Sequence, residues 1–120
     1  MKKIIYSPGE PSGIGPDLII QLCNSKFWTD IKPPIVCLAD PKLLKDRASK
    51  LGKKIQLLQI SDLDNLQKNR KNHIQVLCVT KCNNLKPGKL YKSNAYYVLK
   101  NLDFAIDNAL NDKNTALVTG

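Results

Sequence analysis

The residues best equipped for chemistry stand together near the start of the chain: Gly9, Glu10, Pro11, Ser12, Gly13, Ile14, Gly15, Pro16 and Asp17. They combine the exit of an apolar run, two closely spaced glycines and the start of a helical pattern. Gly13 and Gly15 can adopt positive φ and let backbone approach a ligand closely. The phosphate-binding P-loop is excluded because the Gly-Lys-Ser/Thr ending is missing, and Leu18 stands where the dinucleotide fingerprint requires its third glycine. Glu10 and Asp17 place two carboxylates beside a helix start that would otherwise attract phosphate, which disfavours a pyrophosphate cradle. Two readings remain for the segment: a strand-to-helix turn with its own internal capping, or a turn approaching a ring or ribose of a ligand.

Other chemically capable residues are sparse. Cys78 and Cys82 have a ligand-like spacing, but His73 is the one histidine and no second close pair exists, so the pattern argues against structural zinc. Cys23, Cys37 and Cys78 lie in apolar segments, where a reduced cysteine behaves as a small hydrophobe. Lys81, Lys86, Lys89 and Lys92 surround Tyr91 in what reads as a solvated connection. Lys68, Arg70 and Lys71 read as a solvated face.

The elements that position these residues follow from apolar periodicity. Buried strands are expected over residues 2–7, 35–39, 55–60, 73–80 and 115–119, the last entering a turn at Gly120. Pro16 is expected at the first helical position, and that helix runs to about Cys23. Asp40 is the expected N-cap of a second helix that starts at Pro41, passes through Leu43, Leu44 and Ala48 and stops at Gly52, a good C′ residue. Residues 62–72 are polar and read as a solvated loop or short surface helix. Pro87 and Gly88 mark a turn, and Ser93 or Asn94 caps the longest helix, whose expected apolar stripe is Ala95, Val98, Leu99, Leu102, Ile106, Ala109 and Leu110. About five strands alternating with about three helices predict an α/β fold around an at least partly parallel sheet. Its ligand-binding loops belong at the carboxyl edge of the strands.

The chain has 120 residues, of which 42% are hydrophobic and 24% charged, in the range of one small globular domain. Nineteen basic against ten acidic residues give a net charge of +9. That excess raises nucleic acid, an acidic membrane or a phosphorylated substrate as partners. Arg47 and Arg70 are the only arginines, so the residue type suited to base readout is nearly absent, and nucleic acid is disfavoured. No apolar stretch is long enough to span a bilayer or form a signal peptide, so no membrane partner and a cytoplasmic location are expected.

The opening motif resembles that of the 4-hydroxythreonine-4-phosphate dehydrogenases of vitamin B6 biosynthesis. Their relatives begin with Gly-(Glu/Asp)-Pro-(Ala/Ser)-Gly-Ile-Gly-Pro-(Asp/Glu). The segments Cys37 to Asp40, Arg47 to Gly52, Pro87 to Leu90, Asn94 to Val98 and Ala116 to Gly120 resemble that family in the same order. Family members are considerably longer, so the resemblance makes residues 1–120 an amino-terminal portion of a larger enzyme, inactive alone. It implies part of an isocitrate/isopropylmalate dehydrogenase-like α/β fold with alternating strands and helices. It further implies NAD-dependent oxidation of 4-phosphooxy-L-threonine, a phosphorylated amino acid, followed by decarboxylation. The full-length enzyme would be a homodimer holding a divalent metal (zinc, magnesium or cobalt) through ligands outside this chain. No catalytic or metal-binding residue is therefore assigned here, and His73 is expected to be structural. By analogy, Gly13, Ile14 and Gly15 are the candidate NAD-facing residues, with Glu10 and Ser12 beside them. The alternative is a small basic, non-catalytic α/β module that binds nucleotide or nucleic acid.

Overall fold

Five apolar runs form strands, and every pairing between them is parallel. In the computed structural model, which describes residues 2–82 and 94–120, these are β1 (Lys3–Ser7), β2 (Ile35–Leu38), β3 (Gln56–Ile60), β4 (His73–Leu77) and β5 (Thr115–Thr119). They lie in the order β3-β4-β2-β1-β5. Ile5 pairs with Val36 on one side and Leu117 on the other, which puts β1 inside the sheet. A parallel sheet is ordinarily covered on both faces, and the helices divide accordingly. Helices α1 (Gly15–Cys23) and α2 (Pro41–Lys50) pack on one face, over Tyr6, Ile35, Cys37, Ile74 and Val76. Helix α3 (Asn94–Asn111) packs on the other, where Ala105 joins Ile5, Val36, Leu38 and Leu77. The α/β fold expected from the alternating pattern is thus present, with its sheet wholly parallel.

The α2 boundaries follow the sequence signals closely. Asp40 Oδ1 accepts from the Lys42 amide at 3.0 Å, as an N-cap should. Gly52, with φ of 67°, takes the left-handed conformation beyond the helix end. Gly15, one residue ahead of Pro16, opens α1.

Four expectations need correction. Residues 62–72 are not simply solvated: Leu63 and Asn69 are buried. The Asn69 amide bridges Ile31 O at 2.8 Å, Pro33 O at 2.9 Å and Ile35 N at 2.9 Å. The segment carries β3 to β4 without a helix, so side-chain amides supply partners that a helix would have found in its own backbone. Cys78 is exposed because β4 ends at Leu77, whereas Cys82 is buried. The stripe on α3 is rotated: Asn94, Tyr97, Asn101 and Ala105 face the protein, while Leu99, Ile106 and Leu110 are exposed. Two buried asparagines in the packed face disguise it in a hydrophobicity pattern. Finally, Gly13 and Gly15 do not have positive φ; among the described glycines Gly9 and Gly52 do.

The turn expected at Pro87 and Gly88, the cap at Ser93 and the residues Lys86, Lys89, Tyr91 and Lys92 lie outside the described residues. Trp28 opens a short 3-10 turn before β2 that the sequence pattern did not reveal, and its side chain is buried in the core with α1. Among the described residues no helix is long and apolar enough to cross a membrane.

Candidate functional site

The turn at residues 8–14 leaves the carboxyl end of β1, the edge of a parallel sheet where ligands bind in α/β folds. The Gly13 amide donates to Glu10 O at 3.0 Å, closing a tight turn with Pro11 and Ser12 at its corners. The turn then runs directly into α1. Ile14 is the N-cap residue and offers no side-chain cap to the helix. Its own side chain is 69% exposed.

Gly15 is required by closeness, not by φ. A Cβ there would overlap the Pro8 carbonyl, so the turn folds back on itself at a separation that only glycine permits. The Tyr6 hydroxyl donates to Gly15 O at 2.8 Å, binding the helix start to the strand beneath. The end of β5 reaches the same place: Gly120 N donates to Ser7 O at 2.9 Å, and a Cβ on Gly120 would stand 3.0 Å from Gly15 Cα. Gly9 (φ 83°) would bring its Cβ to 3.2 Å from Gly120 O. Three glycines thus pack backbone against backbone where β1 and β5 end.

A buried arginine holds the outer part of the turn. Arg47 of α2 is 4% exposed, and its Nη1 donates to Gly13 O at 3.0 Å and to Asp17 Oδ1 at 2.6 Å. Its Nη2 donates to Pro11 O. A buried cation needs such partners to offset lost hydration. Arg47 thus compensates the negative charge that Asp17 places beside the helix start. No signal in the sequence connects two residues thirty positions apart, though an isolated Arg in a Lys-rich chain, placed among the apolar residues of a helix, is a hint. The Glu10 carboxylate also has partners, accepting from Ser12 Oγ at 3.2 Å and Asn94 Nδ2 at 3.5 Å.

Behind this turn a polar chain ties α3 to the ends of β2 and β4. Asp40 Oδ2 accepts from Cys82 N at 3.0 Å, and Asp40 N donates to the Tyr97 hydroxyl at 3.0 Å. Cys82 Sγ lies 3.4 Å from Asn94 Oδ1. Burial pushes the Tyr97 phenol well above its ordinary value, so it remains a neutral hydrogen-bonding group. Tyr96, its neighbour, faces out. Beside Asp40 is a cleft of about 380 Å³ lined by Lys42, Lys45, Gln59, Cys78 and Lys81.

The predicted residues Gly13, Ile14 and Gly15 are therefore together at the carboxyl edge, with Glu10 and Ser12 adjoining. They expose an apolar side chain and an uncapped helix start, features able to meet a flat ring or hydrogen-bonding ligand. Among the described residues the carboxylates beside them are already engaged, Glu10 by Ser12 Oγ and Asn94 Nδ2 and Asp17 by Arg47. His73 lies apart, at the beginning of β4, with Nδ1 2.8 Å from Lys71 O. Among the described residues no group of three His, Cys, Asp or Glu could hold a metal ion. Lys68, Arg70 and Lys71 are exposed ahead of β4, at the opposite edge from the turn.

A family model described as the pyridoxal phosphate biosynthetic protein PdxA matches residues 30–120. A crystal structure of a 4-hydroxythreonine-4-phosphate dehydrogenase from Klebsiella pneumoniae is similar, with a TM-score of 0.85 and 20% identity over 99% of this chain and 36% of that one. The corresponding enzyme from Burkholderia phymatum gives a TM-score of 0.83 and 16% identity over 99% of this chain and 36% of its own. The chain thus spans little more than a third of those structures, and shares their fold over that span.

Proposed function

Because the chain belongs to the family of the pyridoxal phosphate biosynthetic protein PdxA, we propose that residues 1–120 form the amino-terminal portion of an NAD-dependent 4-hydroxythreonine-4-phosphate dehydrogenase. In this reading the whole enzyme is a homodimer that oxidises the 3-hydroxyl of 4-phosphooxy-L-threonine. NAD, when bound, accepts the hydride, and the β-keto acid formed then loses carbon dioxide. The described residues do not fit a divalent metal; its ligands would come from outside this chain.

The contribution of these residues is positional. Gly13, Ile14 and Gly15 present backbone and one apolar side chain to the cofactor, Tyr6 holds the helix start in place, and the Gly120 contact fixes the turn against β5. The observation that carries the reading is this backbone-to-backbone glycine packing at the carboxyl edge, in a chain whose family and fold are those of the dehydrogenases. With the Glu10 and Asp17 carboxylates engaged by neighbouring side chains and no metal-binding cluster among the described residues, the 120-residue chain alone is expected to bind cofactor weakly and to catalyse nothing.

The test is a titration of the purified, isotope-labelled chain with NAD⁺, followed by amide chemical shifts. Shifts centred on Gly13, Ile14 and Gly15 are expected. Shifts confined to the cleft of Lys42 and Lys81, or none at millimolar NAD⁺, would remove the assignment. Incubation with 4-phosphooxy-L-threonine and NAD⁺ should produce no NADH absorbance, and steady production would overturn the inactivity of the chain.

A further inference from the structure

We infer that Arg47 is a positioning residue for the cofactor turn: from α2 it fixes the peptide between Gly13 and Ile14 so that the Ile14 N–H points away from the protein toward the ligand. The inference rests on the cofactor reading of that turn. Its geometric basis is independent.

Arg47 Nη1 binds Gly13 O at 3.0 Å, and no peptide bond in the described chain is cis. In a trans peptide the carbonyl and the following N–H point in opposite directions. Drawing Gly13 O toward α2 therefore turns the Ile14 N–H outward. That N–H has no protein acceptor among the described residues, beside an Ile14 side chain that is itself 69% exposed. The second bond, from Nη2 to Pro11 O, holds the preceding corner of the same turn. The planar guanidinium can serve both carbonyls and the Asp17 carboxylate at once, with its donors in a fixed fork. Asp17 in turn keeps the buried cation neutralised at 2.6 Å. A lysine could satisfy Asp17 but has no such fork with which to hold the two carbonyls as well.

The orientation matters because an outward N–H can donate to a carbonyl or carboxamide oxygen of a bound cofactor, whereas a flipped peptide would present a carbonyl and repel that acceptor. Arg47 would thereby act on affinity without touching the ligand.

The experiment compares the wild-type chain with Arg47→Lys and Arg47→Ala, using NAD⁺ as probe. Amide exchange at Gly13, whose N–H bonds Glu10 O, reports the turn, and exchange at Val36 and Val76 reports the core. Arg47→Lys should keep the core protected while Gly13 exchange accelerates and NAD⁺ affinity falls about tenfold, the scale of one hydrogen bond to a charged group. Unchanged Gly13 exchange and affinity in Arg47→Lys would overturn the proposal. Should NAD⁺ fail to bind the wild type while Gly13 exchange still accelerates in the variant, the cofactor reading falls and the positioning role stands. Should neither variant fold, the wild type decides: slow solvent exchange of the Arg47 guanidinium protons and a scalar coupling across its bond to Gly13 O are expected, and rapid exchange without coupling overturns the proposal.

Discussion

The Tyr6 hydroxyl donates to the Gly15 carbonyl at 2.8 Å, so the carboxyl end of β1 grips the first residue of α1 across the intervening turn. Burial, with a smaller effect from Cys37, pushes this phenol from 10 to about 12. The folded value lies above the unfolded one, so the contribution of Tyr6 is complete below pH 10 and is lost as pH rises through the window from 10 to about 12. Tyr6→Phe keeps the ring and removes the donor, and should cost about 1 kcal/mol at neutral pH. Urea unfolding of both proteins across that window should show the wild-type advantage shrinking as pH rises. A constant difference would mean that the phenol does not ionise in the unfolded chain alone.

Gly15→Ala should be among the most damaging small changes in the chain. Its methyl overlaps the Pro8 carbonyl, backbone that cannot yield without moving β1 or α1. A cost of about 3 kcal/mol or more is expected, in the range of overpacking and forced backbone shifts. Gly52→Ala is the control, since its Cβ would meet nothing within 4 Å and only the φ of 67° is strained. That change should cost about 1 kcal/mol. Thermal unfolding that ranks the two in the reverse order would show that the turn relaxes freely.

Strands β1 to β5, the Asp40 cap and the Gly52 stop were readable because each is announced by neighbouring residues: an apolar run, a capping side chain, a glycine beyond a helix. The position of Gly13, Ile14 and Gly15 at a strand exit was readable for the same reason. What was hidden depends on residues distant in the chain. Arg47 meets Gly13 and Asp17 only because α1 and α2 share one face of the sheet, and Gly120 meets Gly15 only because β5 crosses to the far side of β1. The face of α3 was misread since Asn94 and Asn101 are buried where hydrophobicity would place apolar residues. The freedom attributed to Gly13 and Gly15 was misplaced in kind: Gly15 answers a close approach that no local pattern announces.

The cysteines should separate by reactivity. Cys23 and Cys37 are fully buried, and burial pushes both thiols up, whereas Cys78 is exposed beyond the end of β4. Thiolate is the reactive form. Cys78 is also raised, by partial burial and then by Asp40, with Lys81 opposing. Native alkylation followed by peptide mass mapping should label Cys78 first, at a rate below that of a free thiol and increasing with pH through its titration. Cys23 and Cys37 should react only on unfolding. Early labelling of Cys37 would contradict the seating of β2 beneath α2.

Asp40 should prove more important than an ordinary helix cap, because its two oxygens serve different elements. Oδ1 caps α2 through the Lys42 amide, and Oδ2 accepts from the buried Cys82 amide on the path to α3. Removing a cap costs about 1 kcal/mol, and leaving a buried N–H without its acceptor costs about 1–3 kcal/mol more. Asp40→Ala is thus expected to lose roughly 2–4 kcal/mol, the sum of those two effects. Asp40→Asn, which keeps one carbonyl oxygen, can serve the cap or Cys82 but not both, and should lose roughly half as much. Chemical denaturation measures the totals, and amide exchange apportions them: Asp40→Ala should loosen Cys82 as well as Lys42. Loss at Lys42 with Cys82 unchanged would mean that the polar chain from β2 through Cys82 to Asn94 does not transmit order to α3, and that α2 alone depends on the carboxylate.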